Sequence, residues 1–240
     1  MIVGVTSGKG GPGATVLAVH LSAELARRGR STLLLDLDAW GGDVGAYLGP
    51  ENLDPRRGLR PLLKLEHAPS PEAVRRESQP VGQLQVVLGL IRPEPDLLEG
   101  RIDRVIAAAD RMADVVVADL GRTMPRSPAS EALRVVDATV VVARADLQGA
   151  LAAERAIASI ATEVQLVASA VRRHDAADVL ELSEALERPV TATFPLLKKP
   201  TCLTLTRRVR RCVSDLATVV PGLLETPDDR VPEGHAVFAR

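Results

Sequence analysis

Residues 8–15 read Gly-Lys-Gly-Gly-Pro-Gly-Ala-Thr and fall between a β-branched apolar run, Ile2 to Thr6, and a helical pattern that begins near residue 14. A strand, a glycine-rich turn and a helix N-terminus in that order point backbone N–H groups and the positive end of a helix dipole at one place, which is chemistry for holding a phosphate. The spacing is that of GxxxxGK[ST], with Ala14 at the lysine position. Thr15 keeps the hydroxyl suited to Mg²⁺, whereas the ammonium that would reach the β/γ-phosphates is missing there and Lys9 lies inside the loop. The candidate phosphate contacts are therefore Gly8, Lys9, Gly10, Gly11, Gly13, Ala14 and Thr15. Two further segments supply acids. LLLDLD at 33–38 and DVVVADLG at 114–121 are buried-strand patterns that end in Asp36 and Asp38 and in Asp119. In an open α/β sheet the carboxyl ends of the strands form the ligand crevice, so the three carboxylates are expected to meet the glycine loop. Thr15, Asp36 and Asp119 are the candidate metal-binding residues, Asp119 binding directly or through water.

The elements that must position these residues follow from hydrophobic periodicity. Strands are expected at Ile2 to Thr6, Thr32 to Leu35, Leu84 to Leu88, Val115 to Ala118, Thr139 to Ala143, Val164 to Val167 and Val190 to Thr193, and helices at about 14–28, 99–112, 147–162, 175–187 and 203–218. Strands apolar on both faces that alternate with helices describe an α/β fold: a single, doubly wound, mostly parallel sheet with helices on both faces. Between Gly41 and Gln83, prolines 50, 55, 61, 69, 71 and 80 interrupt every long period, and short helices and loops are expected. Residues 1–220 are read as one nucleotide-binding domain and 221–240, with three prolines and an acidic run, as a loosely held tail.

Composition excludes several classes. Thirty Lys and Arg against 31 Asp and Glu give a net charge of −1, which fits neither a strongly basic nucleic-acid binder nor an acidic disordered chain. Aromatic residues make up 2%, too few for base-stacking platforms. Cys202 and Cys212 form no CxxC pair, so no disulfide framework or zinc site is expected and a reduced, cytoplasmic chain is the simplest reading. No apolar run reaches the ~20 residues of a membrane span. The four histidines have no ligand spacing, and Ser7, Ser130 and Ser169 lack a GxSxG context.

Together the Lys9-Gly10-Gly11 loop, the LLLDLD strand and the VVVADLG strand resemble the deviant Walker A, A′ and B motifs of the MinD/ParA superfamily, over roughly residues 1–220 in element order. The resemblance implies ATP and Mg²⁺ as cofactors and a nucleotide-sandwich homodimer in which Lys9 reaches the partner's phosphates. It also implies a catalytic role for Asp38 in positioning the attacking water. A small residue in place of the loop lysine, and Asp119-Leu120-Gly121-Arg122 as Walker B, are most similar to the CpaE/TadZ branch of pilus-assembly localisation factors and related septum-site determinants. Gly121 departs from that branch's proline, VQLVASAV at 164–171 carries no Asn for an adenine base, and with the sequence opening on the first strand the branch's receiver-like N-terminal domain is not expected. The function expected is an ATP-dependent binding switch with weak or no hydrolysis that positions a pilus, secretion or division apparatus through protein partners. An active ParA-type ATPase for DNA or cargo partitioning and a nucleotide-free scaffold are the alternatives. Arg207, Arg208, Arg210 and Arg211 cover one side of the last expected helix and are candidates for non-specific DNA contact, as in ParA-type proteins. The proline-rich, acidic C-terminus cannot form an amphipathic membrane helix, so no membrane insertion is expected.

Overall fold

The computed structural model describes residues 1–49, 53–124, 126–171, 176–197 and 205–224. Along the chain the elements are β1 (Ile2–Ser7), α1 (Ala14–Arg27), β2 (Thr32–Asp36), α2 (Val44–Leu48), α3 (Leu59–Leu63), α4 (Pro71–Glu77), β3 (Gln79–Val81), β4 (Leu84–Val87), α5 (Pro95–Leu98), α6 (Ile102–Asp110), β5 (Val115–Arg122), α7 (Pro128–Ala132), β6 (Ala138–Arg144), α8 (Leu147–Ile157), β7 (Val164–Val171), α9 (Ala176–Ala185), β8 (Val190–Pro195) and α10 (Arg207–Ala217). The strands form one sheet in the order β3-β4-β2-β5-β1-β6-β7-β8, parallel throughout except for the β3–β4 pair. The chain thus winds outward from β1 in both directions, and the carboxyl ends of β1, β2 and β5 lie side by side.

Alternate residues of each strand face opposite layers, and both are apolar. Val115 and Val117 of β5 join Val3, Val5 and Leu34 in a layer shared with α1 and α10. Val116 and Ala118 join Leu33 and Leu35 in a layer covered by α3, α4, α6 and α7. A third cluster sets Val141, Ala143, Leu166 and Ala168 against α8 and α9.

Every expected strand and long helix is present, most ending within a few residues of the expected bounds. Three elements were not foreseen: β3, α7 and α5, a single turn with Pro95 at its start. β3 is a three-residue edge strand containing Pro80, tolerated there because an edge strand has no ladder partner on its outer side. α7 is one short turn capped by Ser127, whose side chain accepts from Ser130 N–H. The residues expected to form the tail lie outside the described residues from 225 onward, as do Cys202 and Leu203.

α1 is tied to α10 by a buried acid. Glu24 has no exposed side-chain surface and accepts from Arg27 Nε and Nη2 and Arg28 Nε at 2.7–2.8 Å, with Arg210 Nε at 4.0 Å. Burial alone would raise its pKa, but the bonds from Arg27 and Arg28 outweigh burial and hold it below the ordinary value of 4.5. Its stabilising effect is therefore complete above pH 4.5 and is lost as pH falls through the lower, folded-state value. Glu24→Gln should cost about 1–3 kcal/mol at pH 7 and progressively less as pH falls below 4.5, measured as urea midpoints across pH.

Candidate functional site

The loop between β1 and α1 is built to leave donors free. Gly13, the residue before α1, has φ 98°, a left-handed conformation natural to glycine, and no side chain caps the helix. The first N–H groups of α1 therefore point into a cleft of about 500 Å³ lined by Gly10, Gly11, Gly13, Ala14 and Thr15 on one side and Asp38, Gly121, Arg122, Arg144 and Ser169 on the other. Ser7 fixes the loop from below, its Oγ donating to Lys9 O at 2.9 Å.

Gly121 allows the acidic wall to close. Its φ is 58°, and a Cβ at this position would lie 2.3 Å from the Asp38 carboxylate. The glycine that departs from the branch pattern is thus the one that lets Asp38 approach the end of β5. Asp38 Oδ1 accepts from Trp40 N–H at 2.9 Å, and burial raises its pKa. Trp40 stands at the mouth with the Arg122 guanidinium 5.8 Å above its ring.

Asp36 and Asp119 are directly paired in the β2–β5 register and both are fully buried. Asp36 does not line the cleft. Its two oxygens accept from Asp38 N–H and Val44 N–H, both at 3.3 Å, and Gly42 and Gly89 close over it so tightly that a Cβ on either would overlap the carboxylate. Asp119 Oδ1 accepts from Gly121 N–H at 3.1 Å, and Oδ2, though buried, has no hydrogen-bond partner. Burial pushes the Asp119 pKa up to about 7 against the restraining Thr15 hydroxyl and Gly121 N–H. Burial, then the Asp119 charge, holds Asp36 well above the ordinary carboxylate range. Two unit charges ~5 Å apart repel by about 3 kcal/mol at an effective dielectric of ~20, so the pair keeps a proton or attracts a cation. The buried Oδ2 near the Thr15 hydroxyl is chemically suited to a divalent cation, which Thr15 and Asp119 would hold, with Asp36 behind them.

Lys9 is placed elsewhere. Its Nζ lies 3.7 Å from Asp146 Oδ1, toward the start of α8 and not among the residues lining the cleft. Asp146 also accepts from Gly149 N–H at 2.6 Å, capping α8, and pairs with Arg144 Nε at 3.2 Å. α8 presses on the loop so closely that a Cβ on Gly8 would lie 1.8 Å from Ala152 O. The structure thus brings Gly10, Gly11, Gly13, Ala14, Thr15 and Asp38 together along the cleft, places Asp119 fully buried behind Thr15, and leaves Gly8, Lys9 and Asp36 out of the lining.

Arg144 was not singled out from the sequence, Arg122 entered only as the last residue of the 119–122 motif and Ser169 only as a serine without a GxSxG context. All three stand at carboxyl ends of strands, so the rule that located Asp119 could have found them. Ser169 is buried, lines the cleft near Phe194 and Leu196, and its Oγ has no partner. It occupies the stretch where no Asn was found, and of that stretch's polar residues, Gln165 and Ser169, it is the one that lines the cleft.

Known proteins share this fold. The ParA family model, described as the NUBPL iron-transfer P-loop NTPase, matches residues 1–73. The cell division ATPase MinD of Pyrococcus furiosus superposes with a TM-score of 0.73 at 17% identity, covering 91% of this chain and 98% of that one. The septum site-determining protein MinD of Pyrococcus horikoshii, complexed with Mg-ADP, does so with 0.70 at 16% identity, covering 91% and 95%. The fold is that of the MinD/ParA P-loop NTPases. In sequence, the chain is 33% identical over 153 residues to the uncharacterized protein Rv3660c of Mycobacterium tuberculosis, a match that takes in 63% of this chain and 41% of that relative. The chain spans about two fifths of the length of the curated relatives it matches.

Since the raised Asp119 pKa means the folded state binds the extra proton, stability from this group falls as pH rises from about 4 to about 7 and stays low above it. Asp119→Asn removes the charge without changing shape. It should stabilise the metal-free protein at pH 8 by about 1–3 kcal/mol and flatten that pH dependence. Thermal unfolding with and without Mg²⁺ checks both arms, with Mg²⁺ stabilising wild type and not the variant.

Proposed function

We propose that this chain is a MinD/ParA-like nucleotide-dependent positioning factor, nearest the CpaE/TadZ branch, which binds Mg·ATP as a switch and hydrolyses it slowly or not at all. The buried, unpartnered Asp119 Oδ2 beside an uncapped glycine loop carries the reading, because it combines anion-binding N–H groups with a place for a divalent cation. Gly10 to Thr15 bind the phosphates, and Thr15 and Asp119 hold Mg²⁺, which neutralises phosphate charge when bound. Asp38, held against Gly121 at the cleft wall, positions a water for attack on the terminal phosphate. The adenine end lies at Ser169, Phe194 and Leu196.

Weak turnover follows from the charges. Ala14 ends at its Cβ where a lysine would extend an ammonium, and Lys9 is engaged by Asp146, so among the described residues the cations lining the cleft are Arg122 and Arg144. We read Lys9 as acting in trans, across a homodimer. The start of α8 supports this, since Leu147 and Leu151 are exposed one helical turn apart beside the Lys9–Asp146 pair. Among the described residues no helix is long and apolar enough to cross a membrane. A cytoplasmic dimer that recruits protein partners of a pilus, secretion or division apparatus is the function these features support. DNA contact through Arg207, Arg208, Arg210 and Arg211 has weaker support, because Arg210 faces Glu24 and Arg211 pairs with Asp215.

Lys9→Ala should abolish ATP-dependent dimerisation in light scattering while leaving the nucleotide-free monomer folded; a variant that still dimerises with ATP would contradict the trans role. Ala14→Lys should tighten ATP by about 1–3 kcal/mol, the scale of a charge-assisted hydrogen bond, measured by calorimetry. Phosphate release should rise with it only while Asp38 is intact. Wild-type turnover already at the level of ordinary P-loop ATPases would move the protein to the ParA-type partitioning reading.

A further inference from the structure

A second cavity, of about 620 Å³, opens at the carboxyl end of β4, on the same edge of the sheet as the nucleotide cleft. Its walls carry Arg56, Arg57, Arg60 and Arg92 against a single acid, Glu94, and its rim carries Ile91, which is 73% exposed. In a chain of net charge −1 this is a concentrated positive site. Arg56 is engaged by Asp54 and Arg60 by Glu94 at 3.1 Å, both in exposed pairs that exchange readily. Arg57 donates to the backbone oxygens of Arg76 and Ser78, and neither it nor Arg92 forms an ion pair among the described residues.

The cavity shares its frame with the nucleotide site. Leu90 O accepts from Gly42 N–H at 2.8 Å and Ala39 O from Glu94 N–H at 3.3 Å, so the turn after Asp38 is bonded to the cavity wall at two points. Trp40 lies within that turn and is the chain's one tryptophan.

We propose that this cavity docks an acidic segment of a partner protein, carboxylates on the arginines and an aliphatic side chain against Ile91, and that docking shifts the turn from Ala39 to Gly42. The charge calls for an acidic partner. A concave site with an exposed isoleucine and prolines at 55, 61 and 93 suits a peptide side chain better than a duplex backbone.

The test uses the full chain without nucleotide, so its outcome is independent of ATP binding. The probe is the peptide Glu-Leu-Glu-Asp-Leu-Glu, fluorescein-labelled for anisotropy and unlabelled for Trp40 emission. Binding should be weakened about tenfold or more by Arg60→Gln combined with Arg92→Gln, both exposed side chains, and unchanged by Arg207→Gln combined with Arg208→Gln on α10. The matching peptide Gln-Leu-Gln-Asn-Leu-Gln should not bind, and Trp40 emission should change with the affinity seen by anisotropy. Equal loss in both double variants, binding of the Gln peptide, or retention of duplex DNA in place of the peptide would overturn the docking site. Peptide binding with constant Trp40 emission would overturn the coupling to the turn.

Discussion

Asp36 and Asp119, paired in register and excluded from water, are the constraint around which the site is arranged. Two carboxylates so placed cannot both be ionised without help. Asp36 is helped by backbone, accepting from Asp38 and Val44 N–H, and in doing so it folds the segment after β2 back over the sheet edge. That fold puts Asp38 against Gly121 and Trp40 at the mouth of the cleft. Asp119 accepts from Gly121 N–H on Oδ1, while Oδ2 is buried without a geometric hydrogen-bond partner and the nearby Thr15 hydroxyl favours the charged form. One acid thus organises the chain while its neighbour is left with an open valence for a cation.

The positive charges are distributed to match. The loop's own lysine position is apolar, Lys9 is held by Asp146, and arginines occupy the cleft wall. Asp146 caps α8 with the same carboxylate that faces Lys9 and Arg144, so the loop lysine and the start of α8 share one acid. Loop, α8 and lysine therefore form one mechanical unit, tightened by the approach of Ala152 O to Gly8.

Much of this was legible in the sequence because it follows from periodicity and local spacing. β-Branched runs apolar on both faces gave the parallel sheet, and the strand-end rule gave Asp36, Asp38 and Asp119 on one edge. What escaped depended on pairing across the sheet. That Asp36 is turned inward follows from the positions of Val44, Gly42 and Gly89, the last of which is remote in sequence from residue 36. That Lys9 faces α8 follows from Asp146, and that Gly121 must be glycine follows from Asp38, contacts that no local pattern records. The edge strand at Pro80 was hidden by the proline that its edge position permits.

The central claim is that the glycine loop and the open valence of Asp119 form one site for a metal–nucleotide complex. Calorimetric titration of ATP into the full chain at pH 8, once with Mg²⁺ and once with a chelator in its place, tests it most directly. Saturable binding that requires Mg²⁺ is the predicted result. Absence of binding heat at millimolar ATP, or the same affinity with the chelator, would contradict it.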